Sequence, residues 1–306
     1  MKIIFMGTPD FSCNVLQNLK DNYDVALVVT QPDKKVGRKR EIKFTPVKEL
    51  ALKNNIEVYQ PVRIKDEYQK IVDEKPDLIV TAAYGQFIPE EIINCPKYGC
   101  INVHASLLPS YRGGSPIHKA ITSGDEYSGV SIMYMVKKMD AGDVLNQVKV
   151  KIEDEDTCAS LFDKLSVSGS ELLIETIPMI VNGTVTRTKQ DESKVTYAYN
   201  ITREEERINW DSTSREIFNH IRGFYTWPGT FTKLGDTVIK IFPGKIAECN
   251  EGTPGEIKSI TKEGMLVKTS DSGYLVSEIQ VQGKKRILIK DFINGNKLIS
   301  VGDVLS

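Results

Sequence analysis

A series of apolar, strand-like runs in the first 104 residues, each followed by a stretch with helical periodicity, is the feature that most restricts the fold. Runs without polar alternation are typical of parallel strands whose sheet is covered by helices on both faces. We therefore predict an α/β domain built on an open, mostly parallel sheet. The predicted strands are Ile3–Met6, Val25–Thr30, Ile56–Gln60, Asp77–Ala83 and Gly99–His104.

The second half of the chain has a different pattern. Residues 157–181 carry an apolar stripe with helical spacing, and residues 190–206 are polar and charged, which is typical of a linker. Beyond them, short strands separated by frequent turn signals indicate a small barrel or sandwich. The predicted organisation is a Rossmann-like domain over 1–189, a linker over 190–206 and a small β-barrel of the oligonucleotide-binding type over 207–306.

Composition excludes several classes of protein. Hydrophobic residues make up 40% of the chain and charged residues 26%, as in ordinary globular domains, which excludes wholesale disorder. The five cysteines include no Cys-x-x-Cys pair and there are only three histidines, so neither disulfides nor a metal site is expected. No apolar run approaches the roughly 18 residues that span a bilayer, and the amino terminus does not resemble a signal peptide. We expect a cytoplasmic monomer that binds neither membrane nor metal.

Basic residues are concentrated locally, although the formal net charge is only −1. Residues 33–48 contain seven basic side chains against two acidic ones, and a second basic run lies at 284–286. Such clusters attract polyanions even when the whole chain is nearly neutral. A solvated surface loop is the alternative explanation of the first cluster. The candidate phosphate contacts are Lys34, Lys35, Arg38, Lys39, Arg40, Lys43, Lys284, Lys285 and Arg286.

Motifs for nucleotide cofactors are missing from the sequence. There is no Gly-x-x-x-x-Gly-Lys phosphate loop, and the first strand is followed by Gly7-Thr-Pro-Asp10 instead of Gly-x-Gly-x-x-Gly. The Gly-x-Ser-x-Gly turn of serine hydrolases is also missing. The sequence therefore gives little support to a nucleotide cofactor or a serine nucleophile.

Two polar residues close the last apolar strand. Asn102 and His104 are separated by one residue, so both side chains project from the same face of the strand. The carboxyl end of a strand is where ligands bind in open α/β sheets. An asparagine amide can donate to a developing oxyanion, and a histidine titrates near neutral pH. The alternative is that both side chains only satisfy backbone groups at the strand end.

A second polar cluster is the turn that contains Asp140 and Asp143. Carboxylates in a turn with glycine often serve only to form the turn. In a functional interpretation, one of them orients a histidine and balances its charge, as in a catalytic triad without the nucleophile.

The sequence from Asn102 through Pro109, continued by Tyr111–Ile117, resembles the signature of folate-dependent formyltransferases. Asp140 stands 36 residues beyond His104, where that family has its third catalytic residue. The resemblance extends over the whole chain. It narrows to the members that formylate methionine carried by initiator tRNA, because of three further stretches: Phe5–Phe11, Val29–Asp33 and Ile221–Gly229.

The resemblance implies a reaction and a set of site residues. The methionine α-amine of initiator methionyl-tRNA attacks the formyl group of 10-formyltetrahydrofolate, with no metal and no covalent enzyme intermediate. Asn102, His104 and Asp140 are the implied catalytic residues, and the basic residues named above are the implied tRNA contacts. The implied folate contacts are Ser106, Leu107, Leu108, Pro109, Tyr84, Gly85 and Gln86.

Two other functions remain open at this point. One is the same chemistry on a smaller amine, such as glycinamide ribonucleotide or an amino sugar nucleotide. A second domain of about 100 residues and the basic stretch 33–48 argue against a purine enzyme, which needs neither. The other is a non-catalytic RNA-binding protein, which the combination of Asn102, His104 and Asp140 disfavours.

Overall fold

The computed structural model describes residues 1–37, 40–295 and 298–306, so Arg38 and Lys39, two of the predicted phosphate contacts, lie outside the described residues. The chain divides into two units, each formed from several segments. Unit 1 comprises Met1–Pro116, Tyr127–Lys151 and Phe162–Tyr199, and unit 2 comprises Ile117–Glu126, Ile152–Leu161 and Asn200–Ser306.

Unit 1 is built on a seven-stranded sheet with a separate two-stranded hairpin. Its strands are β1 (Lys2–Gly7), β2 (Asp24–Val29), β3 (Lys34–Val36), β4 (Glu41–Lys43), β5 (Glu57–Tyr59), β6 (Leu78–Ala82), β7 (Cys100–His104), β8 (Tyr127–Tyr134) and β9 (Val144–Lys151). The sheet order is β5-β2-β1-β6-β7-β8-β9, and β3 pairs with β4 in a separate sheet. The first five strands of the sheet run parallel, whereas β8 and β9 are antiparallel. The predicted mostly parallel sheet is confirmed.

Helices connect the parallel strands and cover the sheet. Ile3 to Met6 of β1 are completely buried, as expected for a central strand covered on both faces. The sequence explains the helix boundaries: Thr45 caps α2 by accepting from the Lys48 backbone N–H, and Pro46 takes the first helical position. The helices of the chain are α1 (Phe11–Asn22), α2 (Pro46–Lys53), α3 (Gln69–Asp73), α4 (Glu90–Asn94), α5 (Pro116–Thr122), α6 (Cys158–Val181), α7 (Ser214–Gly223) and α8 (Ile289–Phe292).

The strand order reverses between β1 and β6, and side chains join the carboxyl ends of these two strands. The Thr8 hydroxyl donates to the Tyr84 carbonyl at 2.8 Å, and the Ser12 hydroxyl donates to the Ala82 carbonyl at 2.6 Å. Gly7 permits this close packing, since a Cβ there would lie 2.7 Å from the Ser12 Cβ. Ligands of open α/β sheets bind at this edge.

Residues 190–199, the first part of the linker predicted over 190–206, are grouped with unit 1. Gln190 and Ala198 are buried, and the Ala198 backbone exchanges hydrogen bonds with Arg112 and Ser115. The polar composition of this stretch reflects hydrogen bonds to unit 1 as well as contact with water. The predicted boundaries at 189 and 207 remain a proposal.

Unit 2 contains two four-stranded antiparallel sheets, ordered β10-β11-β16-β17 and β12-β15-β14-β13. Their inward residues, among them Ile239, Val267, Tyr274 and Ile279, share one hydrophobic core, as expected for a small barrel-like β domain. The fold class predicted from the sequence is confirmed. The strands are β10 (Thr230–Leu234), β11 (Thr237–Ile241), β12 (Lys245–Ala247), β13 (Ile257–Ile260), β14 (Met265–Lys268), β15 (Gly273–Val276), β16 (Glu278–Val281) and β17 (Ile287–Leu288).

A half-buried histidine should make the stability of unit 2 depend on pH. Burial lowers the pKa of His220 from 6.5 to about 4. The unfolded chain therefore binds more protons between these values, and stability that is present above pH 6.5 is lost as the pH falls towards 4. We expect His220 to reduce the free energy of unfolding by about 3 kcal/mol between pH 7 and pH 4.

Urea unfolding at several pH values, followed by tryptophan fluorescence, measures this loss, because Trp210 and Trp227 both lie in unit 2. The variant His220→Gln does not titrate and should flatten the dependence. An equally steep dependence in His220→Gln would assign the loss of stability to other groups.

Candidate active site

Strand β7 carries Asn102 and His104 to the carboxyl edge of the sheet, as its sequence predicts. On the neighbouring strand β6, the Thr81 hydroxyl lies 2.8 Å from the Asn102 side-chain oxygen. The amide oxygen can only accept, so Thr81 donates this hydrogen bond. No hydrogen bond of the Asn102 amide nitrogen is present among the described residues, which leaves its two N–H groups available to a ligand.

The imidazole of His104 is buried between a backbone carbonyl and a carboxylate. Its Nε2 lies 3.1 Å from the Tyr111 carbonyl oxygen, and its Nδ1 lies 3.9 Å from Oδ2 of Asp140. A carbonyl only accepts hydrogen bonds, so Nε2 carries a proton. Nδ1 is then the nitrogen that can take up a further proton, beside the negative charge of Asp140.

Asp140 is held in a turn of unusual conformation. Its φ of 46° lies in the left-handed region, which residues other than glycine rarely adopt. Its carboxylate accepts a 2.8 Å hydrogen bond from the Gly113 backbone N–H. Its backbone carbonyl and that of Gly142 each accept from the Gln190 amide at 2.8 Å. Hydrogen bonds from two distant segments therefore fix the turn.

Gln190 is itself oriented by a buried arginine. The Gln190 side-chain oxygen accepts hydrogen bonds from Nε and Nη2 of Arg112, whose side chain is completely buried. Arg112 also forms an ion pair with Glu192 at 2.9 Å. The Arg112 guanidinium and Lys138 lower the pKa of Glu192 to about 2. The chain of contacts runs from Glu192 through Arg112 and Gln190 to the turn of Asp140.

The predicted folate segment Ser106–Pro109 follows β7 and is anchored on β8 and β9. The Leu108 backbone N–H donates to the Ser131 hydroxyl, and Gln147 donates to the Leu108 carbonyl. Ser106 and Leu108 are buried, whereas Leu107 and Pro109 are half-exposed. Leu107 and Pro109 are therefore better placed to contact a ligand than the buried Ser106 and Leu108.

The second predicted folate segment, Tyr84, Gly85 and Gln86, follows β6. The Tyr84 ring is buried in the core of unit 1, and burial raises the pKa of its phenol. Its hydroxyl oxygen has no hydrogen-bond partner among the described residues, so it could serve a polar ligand atom. The Gln86 side chain is already bonded to the Ile64 backbone N–H and to the carbonyl of Val62.

The predicted phosphate contacts fall in both units. In unit 1, β3 and β4 form a hairpin within the basic stretch 33–48, with Lys34 directly opposite Lys43. Lys34, Lys35, Arg40 and Lys43 are exposed. In unit 2, the exposed Lys284, Lys285 and Arg286 follow β16, and Arg286 forms an ion pair with Glu278.

Metal and thiol chemistry find little support at the site. Within 1–37, 40–295 and 298–306, no group of three or more His, Cys, Asp or Glu residues is arranged to hold a metal ion. Cys100 is buried at the start of β7, and burial raises the pKa of its thiol, as expected for a structural cysteine. In the same described residues, no helix is both long and apolar enough to cross a membrane.

Sequence reasoning missed the residues that support the catalytic candidates. Thr81 is the one hydroxyl-bearing residue in the apolar strand β6, which is a weak signal of a polar role. The sequence does not indicate the hydrogen bond between Arg112 and Gln190, since the two residues are 78 positions apart and meet only in the tertiary fold. Ser131 and Gln147 were missed because β8 and β9 were not predicted as strands.

Comparisons with known proteins identify the family. A model described as formyl transferase matches residues 1–177, and one described as formyl transferase, C-terminal domain, matches residues 200–297. A methionyl-tRNA formyltransferase of Bacillus cytotoxicus is 54% identical over 303 residues, covering 97% of this chain and 96% of that protein. One from Bacillus mycoides is 52% identical over 302 residues, with the same coverage.

Solved structures of lower identity share the fold. An N-formyltransferase from Helicobacter canadensis, in complex with folinic acid and dTDP-3-aminofucose, superposes with a TM-score of 0.69 at 20% identity, covering 94% of this chain and 100% of that one. A methionyl-tRNA formyltransferase from Clostridium thermocellum gives a TM-score of 0.56 at 20% identity, covering 81% and 94%. The resemblance seen in the sequence is thus confirmed, and the chain belongs to the formyl transferase family, among the methionyl-tRNA formyltransferases.

Proposed function

We propose that this protein transfers the formyl group of 10-formyltetrahydrofolate to the α-amine of methionine on initiator methionyl-tRNA. The observation that carries the proposal is the arrangement of Asn102, His104 and Asp140 at the carboxyl edge of the sheet. Such a transfer requires a hydrogen-bond donor and a proton acceptor. The Asn102 amide, whose N–H groups have no partner among the described residues, can be the donor, and the imidazole of His104 beside the Asp140 carboxylate can be the acceptor. The reaction begins translation, so the proposal includes a cytoplasmic location.

The amide of Asn102 is the donor for the oxyanion in this proposal. Attack of the amine on the formyl carbon gives a tetrahedral intermediate with a negatively charged oxygen. Because Thr81 holds the amide oxygen, the N–H groups of Asn102 are oriented before the reaction starts. A donor of this kind accelerates acyl transfer by about 10²–10³-fold.

His104 takes up the proton that the attacking nitrogen must lose, and Asp140 assists it. Nε2 of His104 is engaged by the Tyr111 carbonyl, so Nδ1 receives the proton, directly or through water. The imidazolium then lies beside the Asp140 carboxylate, which stabilises its charge. When the intermediate collapses, the bond between the formyl carbon and the folate nitrogen breaks, and the proton held by His104 passes to that nitrogen, which leaves as tetrahydrofolate. The hydrogen bonds of Gly113 and Gln190 keep this carboxylate in place.

The folate donor is assigned to the two segments that follow β6 and β7. Leu107 and Pro109 provide half-exposed apolar contacts, and the unpartnered Tyr84 hydroxyl provides a polar one. The donor supplies the activated formyl group, and the chain supplies its orientation. Unit 2, with its exposed basic run at 284–286, is assigned to the tRNA.

Purified protein should form formylmethionyl-tRNA when 10-formyltetrahydrofolate and charged initiator tRNA are both present, measured by mass spectrometry of the released amino acid. Methionyl elongator tRNA and an amino sugar nucleotide are the comparison acceptors. Efficient formylation of the sugar nucleotide, with none of the tRNA, would contradict the proposal.

The hairpin should contribute to RNA affinity through phosphate contacts. Lys34 and Lys43 face each other across it, a like-charge pair that a phosphate would relieve. Its base is fixed by the hydroxyls of Thr30 and Thr45, 2.9 Å apart. Replacing both lysines by alanine should flatten the slope of log Kd against log salt by about 1.5, since each phosphate contact contributes about 0.7–0.9.

Filter binding of tRNA between low and moderate salt measures this slope. The matched control replaces Lys53 and Lys75, two exposed lysines that precede β5 and β6 at the opposite edge of the sheet. An unchanged slope in the hairpin variant would mean that Lys34 and Lys43 do not contact phosphate and that the hairpin is only a solvated surface segment.

A further inference from the structure

Two exposed tyrosines form a stacked pair in unit 1. The rings of Tyr197 and Tyr199 are 5.4 Å apart between centroids, and their planes differ by only 2°. Their exposed fractions are 43% and 63%, which is unusual for two aromatic rings in contact. Neither ring fills the core, so burial within the chain does not explain the pair.

The backbone between the two rings is fixed against the segment that supports Asp140. Ala198 is completely buried, and its carbonyl lies so close to Gly113 that a Cβ there would approach it to 2.6 Å. The N–H of Gly113 donates to the Asp140 carboxylate. The Tyr199 nitrogen would be 3.6 Å from the same Cβ. The pair is therefore linked to the turn of Asp140 through two contacts, from Ala198 to Gly113 and from Gly113 to Asp140.

Alternation along this extended segment explains the exposure of both rings. Successive side chains of an extended chain point to opposite sides, so the two tyrosines share one face while Ala198 occupies the other. Hydrogen bonds of Thr196 and Ala198 to the backbone of Tyr111 and Arg112 hold the segment in place. The rings are consequently presented to solvent by a rigid backbone.

We propose that Tyr197 and Tyr199 form a stacking platform for the base of the acceptor RNA's terminal nucleotide. The inference rests on the proposed function, because it requires an acceptor whose amine is attached to an RNA end. The reacting methionine is esterified to the ribose of that nucleotide. The base of that nucleotide must therefore lie no further than the length of one nucleotide from the site formed by Asn102, His104 and Asp140.

Stacking suits both the ligand and the rings. Single-stranded RNA is held by aromatic side chains that stack on unpaired bases, and each such contact contributes enough to change affinity about 5–150-fold. A tyrosine has few rotatable bonds, and the contact between the two rings orders them before the base arrives. A ligand that lacks a base gains nothing from this surface.

The experiment compares acceptors that carry a terminal base with one that lacks it. Steady-state formylation is measured with methionyl-tRNA, with methionyl-adenosine and with methionine methyl ester, using the double variants Tyr197→Ala/Tyr199→Ala and Tyr197→Phe/Tyr199→Phe. We expect the alanine variant to lose about 10-fold or more in kcat/KM for the first two acceptors and nothing for the methyl ester. The phenylalanine variant, which still stacks, should resemble the wild type.

Control measurements separate the possible failures. Tyr98→Ala removes a tyrosine that precedes β7, at the other edge of the sheet, and should change none of the three rates. Binding of a four-nucleotide RNA ending in adenosine, followed by fluorescence anisotropy, should weaken in the alanine variant only. Equal losses on all three acceptors, or no loss on any, would overturn the platform. A wild-type protein that never formylates methionyl-tRNA would instead refute the proposed function.

Discussion

Replacement of Asn102 by alanine is expected to lower kcat at least about 100-fold while KM for either substrate changes little. In the proposed mechanism the side chain donates to an oxygen that becomes negatively charged only after the amine attacks, so its loss affects the chemical step more than substrate binding. The fold should survive, because the Asn102 side chain is only half-buried and its hydrogen bond partner within the chain is Thr81. Steady-state kinetics with charged tRNA measure the effect.

Two further variants test whether orientation of this amide matters. Thr81→Val removes the hydroxyl that holds the amide oxygen, and should reduce kcat less than Asn102→Ala does. Asn146→Ala is the matched control, because Asn146 lies on β9 and donates to Thr176 instead. Near-wild-type turnover of Asn102→Ala, in a protein with native circular dichroism, would remove Asn102 from the mechanism.

Replacement of Asp140 by alanine should also lower kcat at least about 100-fold. The carboxylate lies 3.9 Å from Nδ1 of His104. In the proposed mechanism it stabilises the imidazolium that forms when the amine loses its proton. It also accepts from Gly113, so alanine removes a charge and a hydrogen bond together. Asp140→Asn separates the two, because an amide can keep the bond to Gly113 without the charge.

Asp143, three positions further along the same turn, is the control for Asp140. Its carboxylate pairs with Arg187 at 3.2 Å, and Arg187 is exposed. We therefore expect Asp143→Ala to lose only a few-fold in kcat, as a surface ion pair contributes little. Equal losses for the two aspartates would mean that the turn acts as a structural unit and that Asp140 has no separate role.

The sequence predicts the parallel part of the fold well, because burial on both faces leaves a strong apolar pattern. All five predicted strands exist, and the long helix predicted over 157–181 is observed at Cys158–Val181. The antiparallel edge formed by β8 and β9 was missed. Along the second half of β9 half-buried and exposed residues alternate, which is the pattern of a strand covered on one face, so the sequence does carry a signal for this strand.

The site could be predicted only where residues that are close in the sequence are also close in space. Asn102 and His104 belong to one strand, and their common edge follows from that. The pairing of His104 with Asp140 depends on a turn 36 positions away. The residues suggested only that one carboxylate of this turn could orient a histidine, and the resemblance to a known family selected Asp140. The supports at Thr81 and Gln190 are hydrogen bonds between distant segments, which a single sequence does not record.

The bond between Gln190 and the turn of Asp140 has a consequence for the order in which the protein becomes active during synthesis. All three catalytic candidates leave the ribosome before residue 190 does. Until then the turn lacks the amide that holds two of its carbonyls, and Arg112 lacks its main partner. A nascent chain ending at residue 189 therefore contains the whole triplet but not the geometry of its third member. We therefore expect competence for formyl transfer to begin only when the segment from Gln190 to Ala198 has packed against Arg112 and Gly113.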